Sequence, residues 1–264
     1  MEIPLFLAMT AAELKSAAPL SEHIAWMACH FSPYHTALSN LPHELPKDSM
    51  LMLNDRTPPA GHDPKAVADS LTQTAQALEC SCILLDFQRP GNEETASIVE
   101  AVLQHSECPV GVSCCYGEKL DCPLLLPPIP PHIDPEEICA PWQGRELWLE
   151  MAWEGTQITV SRDGSTYAPL PYYTPDSNSH RDRKLHCHYD ISPNTEQIIF
   201  RLGRTEDDRQ KLLEEVSAMG VTKAIGLWQE WAQHSRERKS VFCSQDISKD
   251  TLYSPADKPD QTTW

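Results

Sequence analysis

Glycine is scarce in this sequence, with 10 glycines among 264 residues. Phosphate-binding loops depend on clustered glycines, and neither a Gly-x-Gly-x-x-Gly fingerprint nor a Walker loop occurs. The Gly-x-Ser-x-Gly elbow that presents a nucleophilic serine is missing as well. The sequence therefore predicts no nucleotide cofactor, and we expect no other cofactor.

Long apolar runs and positive charge are also in short supply. No run reaches the roughly 18 apolar residues that would span a bilayer. The chain begins with MEIPLFLAMTAAEL, in which Glu2 stands where a secretory leader would be basic. Lys and Arg total 21 against 38 Asp and Glu, so the formal net charge is −17. Because such a chain repels phosphate backbones and anionic lipids, we expect a cytoplasmic protein with no nucleic-acid and no membrane partner.

Cysteine is abundant, with 10 residues, but its placement does not suggest disulfides. Cys80 and Cys82 alternate within an apolar run, and Cys114 and Cys115 end another. Cysteines in such runs behave as small buried hydrophobic residues. No Cys-x-x-Cys pair is present either. We therefore expect reduced thiols that serve packing.

Short apolar runs that alternate with helical segments predict the fold. Asp63 can cap a helix that starts at Pro64 and leads into the apolar run 80–87, and Thr205 can cap another helix that stops at Gly220. Roughly eight such strands indicate an α/β fold of the irregular TIM-type (β/α)8 barrel class in a single domain. We place the barrel at 1–235, with a hairpin turn at Glu154-Gly155 and an irregular excursion at about 162–184. A polar C-terminal tail is expected at 236–264.

Barrels of this kind hold their sites at the carboxyl ends of the strands. The strongest candidate is Asp86-Phe87-Gln88, where a continuous apolar strand ends in polar side chains. Several other polar and aromatic residues follow candidate strands, and their mixture is typical of a sugar site. The further residues expected to line the site are Asp55, Tyr116, Glu150, Trp228 and Glu230.

The segment Ser81–Gln88, with sequence SCILLDFQ, resembles the fourth-strand signature Asp-Gly-Ile-Asp-Leu-Asp-Trp-Glu of the chitinase-like family-18 glycoside hydrolases. The strand at 225–228 resembles the final strand of that family. The resemblance implies that Asp86 orients a substrate acetamido group and that Trp228 forms a stacking floor. Gln88 stands at the catalytic glutamate position, and Ser81 and Leu84 replace the two earlier acids.

These departures favour binding over hydrolysis, because a carboxamide cannot donate a proton to a glycosidic oxygen. The favoured hypothesis is a non-catalytic barrel that binds a carbohydrate, or a sugar-like small molecule, without a metal. An equally simple interpretation is that Asp86 and Gln88 only cap a barrel strand. A first functional alternative is a glycoside hydrolase that uses Asp55 or Glu150 together with Asp86.

A second alternative is a metal-dependent hydrolase built on His186 and His188. Alternation along a strand puts these two histidines and Asp190 on one face. The three residues would span about 13 Å, too far for one ion. Two of them would therefore need a distant partner, such as His30, Asp55 or Glu150.

Overall fold

Eight parallel strands form a closed barrel, as the sequence predicts. The structure is a computed structural model that describes residues 2–16, 23–34, 36–89, 91–171, 173, 175–176 and 178–232. The barrel strands follow one another around the ring in chain order, and β1 closes it by pairing with both the second and the last strand. They are β1 (Leu5–Met9), β2 (Ile24–Phe31), β4 (Met50–Asn54), β5 (Cys82–Asp86), β6 (Val110–Ser113), β7 (Leu124–Leu126), β8 (Leu147–Met151) and β14 (Val221–Leu227), with the two-residue β3 (Leu38–Ser39) antiparallel to the end of β2.

The helices are unequal in length, which makes the barrel irregular. The predicted caps are confirmed: the Asp63 carboxylate accepts the amide of Ala66, and Thr205 and Asp208 form a capping box. Among the described residues, each long helix follows such a cap and has an amphipathic sequence. The helices are α1 (Ala11–Ser16), α2 (Pro64–Ala77), α3 (Glu93–His105), α4 (Cys114–Gly117), α5 (Pro135–Cys139) and α6 (Glu206–Ala218), with a 3-10 helix at Ala140–Trp142.

Side-chain alternation divides each barrel strand between two packing layers. In β5, Cys82 and Leu84 join a buried cluster with the fully buried Trp148, while Ile83 and Leu85 pack with residues of α2 and α3. The first cluster draws on seven of the eight barrel strands and fills the barrel interior. Side chains that continue its register therefore emerge at the barrel mouth.

A five-stranded antiparallel sheet is inserted between β8 and α6. The expected hairpin at Glu154-Gly155 is wrong, because the strand after it pairs inside the new sheet instead of with β8. The segment 162–184, expected to be irregular, contains two strands. The first of these strands, Gly164–Leu170, is mostly exposed, so its sequence lacks the apolar alternation that predicts a strand. The strands are β9 (Gly155–Ser161), β10 (Gly164–Leu170), β11 (His180–Asp182), β12 (Cys187–Pro193) and β13 (Gln197–Gly203). Their order in the sheet is β10-β9-β13-β12-β11.

The barrel and its inserted sheet belong to one compact unit, Met1–Trp228. A second unit begins at Gln229, seven residues before the expected boundary, and is described as far as Ala232. The polar tail expected at 236–264 lies outside the described residues. Within the described part of the chain, no helix has both the length and the apolar character needed to cross a membrane.

Candidate functional site

The carboxyl ends of β5, β6, β7 and β8 surround a cavity of about 350 Å³. It brings together three of the predicted site residues, Asp86, Gln88 and Glu150. Strand register explains the meeting, because Asp86 continues the inward row of β5 and Glu150 continues the inward row that contains Trp148. The remaining lining comes from Phe87, from Ser113–Cys115 at the end of β6 and from Leu125–Pro128 at the end of β7.

Two carboxyl groups face this cavity, and the charge of Asp86 acts on Glu150. Burial, followed by the charge of Asp86, raises the pKa of Glu150 to about 7. Burial also raises the pKa of Asp86, and the nearby Asp55 adds to the effect, while a hydrogen bond from Gln88 opposes it. The cavity therefore holds one carboxyl group whose pKa lies near neutral pH beside a second that is hydrogen-bonded to Gln88. Such a pair can both accept hydrogen bonds from ligand hydroxyls and donate to them.

Gln88 completes the polar side of the cavity. Its Nε2 donates to Asp86 Oδ1 at 3.2 Å, so the carboxamide and carboxylate form one hydrogen-bonding surface. Residues at the end of β6 hold the main chain of Phe87, which precedes Gln88. Ser113 Oγ accepts the amide of Phe87 at 3.0 Å, and Cys115 Sγ donates to the carbonyl of Phe87 at 3.0 Å. The segment after β5 is thus held by the neighbouring strand end.

Asp55 supports the site from behind and does not line the cavity. Its carboxylate is buried at 6% exposure. Oδ1 accepts the amide of Gln88 at 3.2 Å and Oδ2 accepts the amide of Arg89 at 2.8 Å. Both oxygens are thereby committed to the backbone that carries Gln88, so we assign Asp55 a positioning part. Asp55 is not among the lining residues of this cavity, and the ligand contact expected of it stays a prediction.

Tyr116 also supports the segment after β5. Its hydroxyl donates to the carbonyl of Arg89 and accepts the amide of Asn92 at 3.4 Å. Its ring meets Phe87 edge-on, with centroids 6.1 Å apart, and it lines a separate depression beside α3. The expected contact of Tyr116 with the cavity is therefore not found.

The two remaining predicted residues stand near the end of the described chain. Trp228 directly follows the last barrel strand and is 8% exposed, but it does not line this cavity. Glu230 belongs to the second unit and is half-buried there. The ligand contacts expected of both stay predictions.

The histidines of the metal alternative have other partners. His186 Nε2 pairs with Glu215, and His188 Nδ1 lies 2.8 Å from Asp208 Oδ2, so both connect the inserted sheet to α6. Asp190 accepts the Tyr173 hydroxyl at 2.6 Å. Among the residues that the structure describes, no group of three or more His, Cys, Asp or Glu side chains could hold a metal ion. The geometry thus does not support the metal alternative.

The described cysteines are free thiols, and burial raises the pKa of most of them. The pKa of Cys29 reaches about 12 for this reason. Cys115 differs because it is exposed and lines the cavity, as does Ser113. Sequence reasoning missed both, since it took Cys114 and Cys115 as the buried end of an apolar run. The strand ends at Ser113, and that earlier boundary is the signal that identifies them.

No family model matches the sequence, and no curated protein matches it. Solved structures do resemble the fold. The chitinase-like agglutinin of Robinia pseudoacacia has a TM-score of 0.53 at 10% identity, over 84% of this chain and 93% of that one. A chitinase of Chromobacterium violaceum has a TM-score of 0.52 at 12% identity, over 85% and 93%. A family-18 N-acetylglucosaminidase of Paenibacillus barengoltzii has a TM-score of 0.52 at 10% identity, over 86% and 95%. At such low identity the likeness establishes that this chain shares the barrel fold of chitinases and chitinase-like proteins.

Proposed function

We propose that this chain binds a carbohydrate in the cavity between Asp86, Gln88 and Glu150. The observation that carries the proposal is their convergence at the mouth of a parallel barrel, where such folds hold their ligands. A sugar presents many hydroxyls of defined direction. The hydrogen-bonded Asp86 and Gln88, with the protonatable Glu150 opposite, supply acceptors and donors for several of them.

The charge of the cavity argues for a neutral sugar. Two carboxyl groups line it, and the chain carries a formal net charge of −17. An anionic sugar would meet like charge in a partly desolvated place, which costs binding free energy. N-acetylglucosamine oligomers are the first probe because the similar folds include a chitinase and an N-acetylglucosaminidase.

The binding role is proposed without catalysis, on the strength of Gln88. A carboxamide at the fourth-strand position offers no proton to a leaving oxygen. Gln88 also holds Asp86 by a 3.2 Å hydrogen bond, which fixes the carboxylate as an acceptor. One solved structure with a similar fold is described as a chitinase-like agglutinin, and this supports a binding role.

Titration calorimetry with N-acetylglucosamine oligomers tests the proposal. We expect saturable heat with the sugar recovered intact, and loss of binding in Asp86→Ala. Glu44→Ala is the matched control, because Glu44 is an exposed acid outside this cavity. Absence of heat for every oligomer, or unchanged affinity in Asp86→Ala, would contradict the proposed site.

Hydrolysis by Glu150 is the second candidate, favoured by its pKa of about 7. A protonated Glu150 could give its proton to the glycosidic oxygen as the C–O bond breaks, while water adds to the anomeric carbon and gives its own proton to the Asp86 carboxylate. Release of new reducing ends would reveal it. The rate should fall as pH rises above about 7, since the acid is then ionised. Glu150→Gln should abolish turnover while Glu44→Gln, at an exposed acid outside the cavity, should not; activity that survives Glu150→Gln rejects this candidate.

A further inference from the structure

A second cavity, of about 400 Å³, lies beside the first. The segment after β7 forms one wall and the inserted sheet forms the other, through residues of β9 and β10. Pro128 lines both cavities, so the two are neighbours across a single residue. Ala152, two residues after Glu150, lines the second one. A ligand seated beside Glu150 can therefore extend toward the inserted sheet.

Two rings form a platform in this second cavity. The Tyr167 and His132 rings lie with centroids 5.0 Å apart and an angle of 31° between their planes. Tyr167 is 61% exposed although it sits beside a cavity, so its ring is available to a ligand. His132 is held by a 3.2 Å hydrogen bond with Thr156 Oγ1, and burial lowers the pKa of its imidazole. The ring at the base is thus fixed and favours its neutral form.

The remaining lining suits an amphipathic ring. Prolines of the segment 128–131 make an apolar wall, and the exposed carboxylate of Glu154 stands at the edge. A pyranose has an apolar face of C–H groups and a rim of hydroxyls. The apolar face matches the Tyr167 ring, and the hydroxyls match the Glu154 carboxylate.

We propose that the second cavity is a further sugar site, so that the ligand is an oligosaccharide that spans both cavities. This inference rests on the proposed function and specifies the size of its ligand. Tyr167 provides the stacking surface, and His132 orients that ring from below. The sugar in the second cavity adds affinity to the one beside Asp86.

The test is titration calorimetry of the full chain with N-acetylglucosamine oligomers of increasing length. Affinity of the wild-type protein should rise when the oligomer becomes long enough to reach Tyr167. Tyr167→Ala should weaken binding of the long oligomers about 10-fold and leave the shortest binding oligomer unchanged. Tyr167→Phe, which keeps the ring, should retain the gain.

Two control variants distinguish the loss of sugar stacking from other effects of the Tyr167→Ala substitution. Tyr34→Ala removes a tyrosine that is 92% exposed and lines neither cavity, so it should bind every oligomer like the wild type. Ile198→Ala removes an apolar side chain that is 40% exposed on the inserted sheet, outside the second cavity. The molar masses of the wild type, Tyr167→Ala and Ile198→Ala are measured in parallel. If Tyr167→Ala and Ile198→Ala each convert a dimer to a monomer, the surface binds a second copy and the inference is overturned.

The outcomes separate this inference from the proposed function. Binding without any dependence on oligomer length rejects the second site and leaves the first intact. An equal loss for short and long oligomers in Tyr167→Ala also rejects it. If no oligomer binds the wild-type protein, the proposed function and the inference fail together.

Discussion

Replacing Glu150 with glutamine should make stability less sensitive to pH. Burial raises the pKa of Glu150 from its ordinary value of 4.5 to about 7. Between these two values the unfolded chain ionises Glu150 while the folded protein keeps it protonated. Stability therefore falls as pH rises through this window and is not recovered above it. The interval corresponds to about 3 kcal/mol in the free energy of unfolding, as an upper bound for a half-buried group.

Urea unfolding of the wild type and Glu150→Gln at about pH 5 and about pH 8 measures the effect. The variant should gain about 2 kcal/mol relative to the wild type between the two pH values. Glu154→Gln makes the same change of charge at an exposed position and controls for net charge. If the stability difference for Glu150→Gln is the same at both pH values, Glu150 titrates like an ordinary glutamate and the reasoning is refuted.

Three further changes have definite expected results. Asp55→Ala leaves the amides of Gln88 and Arg89 without their carboxylate acceptor and should cost about 1–3 kcal/mol in urea unfolding. Asp55→Asn should cost less because one acceptor stays, and equal costs would contradict the bonding pattern. Gly111→Ala would place a methyl group 2.3 Å from ring atoms of Trp148 and should lower stability by about 1–3 kcal/mol; a neutral result in thermal unfolding would show that the ring has room. Asp208 is buried, which would raise its pKa, but hydrogen bonds from Thr205 and His188 outweigh this and lower it. The stabilisation that Asp208 provides is present above its pKa in the unfolded chain and is lost as pH falls through its lower pKa in the folded protein. Asp208→Asn should therefore lose less stability than the wild type between about pH 5 and about pH 3.

The barrel could be predicted because its elements carry local signals. The strand Cys82–Asp86 is apolar on both faces, as a strand between a barrel interior and a helical layer must be. Asp63 and Thr205 are side chains that cap helices through their own oxygen atoms. These signals depend on neighbouring residues, so they are visible without the tertiary structure.

The inserted sheet and the histidine partners could not be predicted, because their causes are distant in sequence. Strand β10 is exposed along most of its length, and its hydrogen bonds with β9 leave no apolar pattern. His188 is hydrogen-bonded to Asp208, which is 20 residues away in the sequence. The sequence alone shows a candidate metal ligand at His188 and does not show this partner. Asp55 and Tyr116 likewise hydrogen-bond to main-chain groups of Arg89, and these partners are not visible in the sequence.

The central claim is that a sugar lies between Asp86 and Glu150. A crystal structure of the protein with tri-N-acetylchitotriose, at a concentration that saturates the calorimetric signal, tests it most directly. We predict a sugar ring in the cavity of about 350 Å³, with a hydroxyl or acetamido group hydrogen-bonded to Asp86. A trisaccharide bound elsewhere on the chain, with this cavity unchanged, would contradict the account.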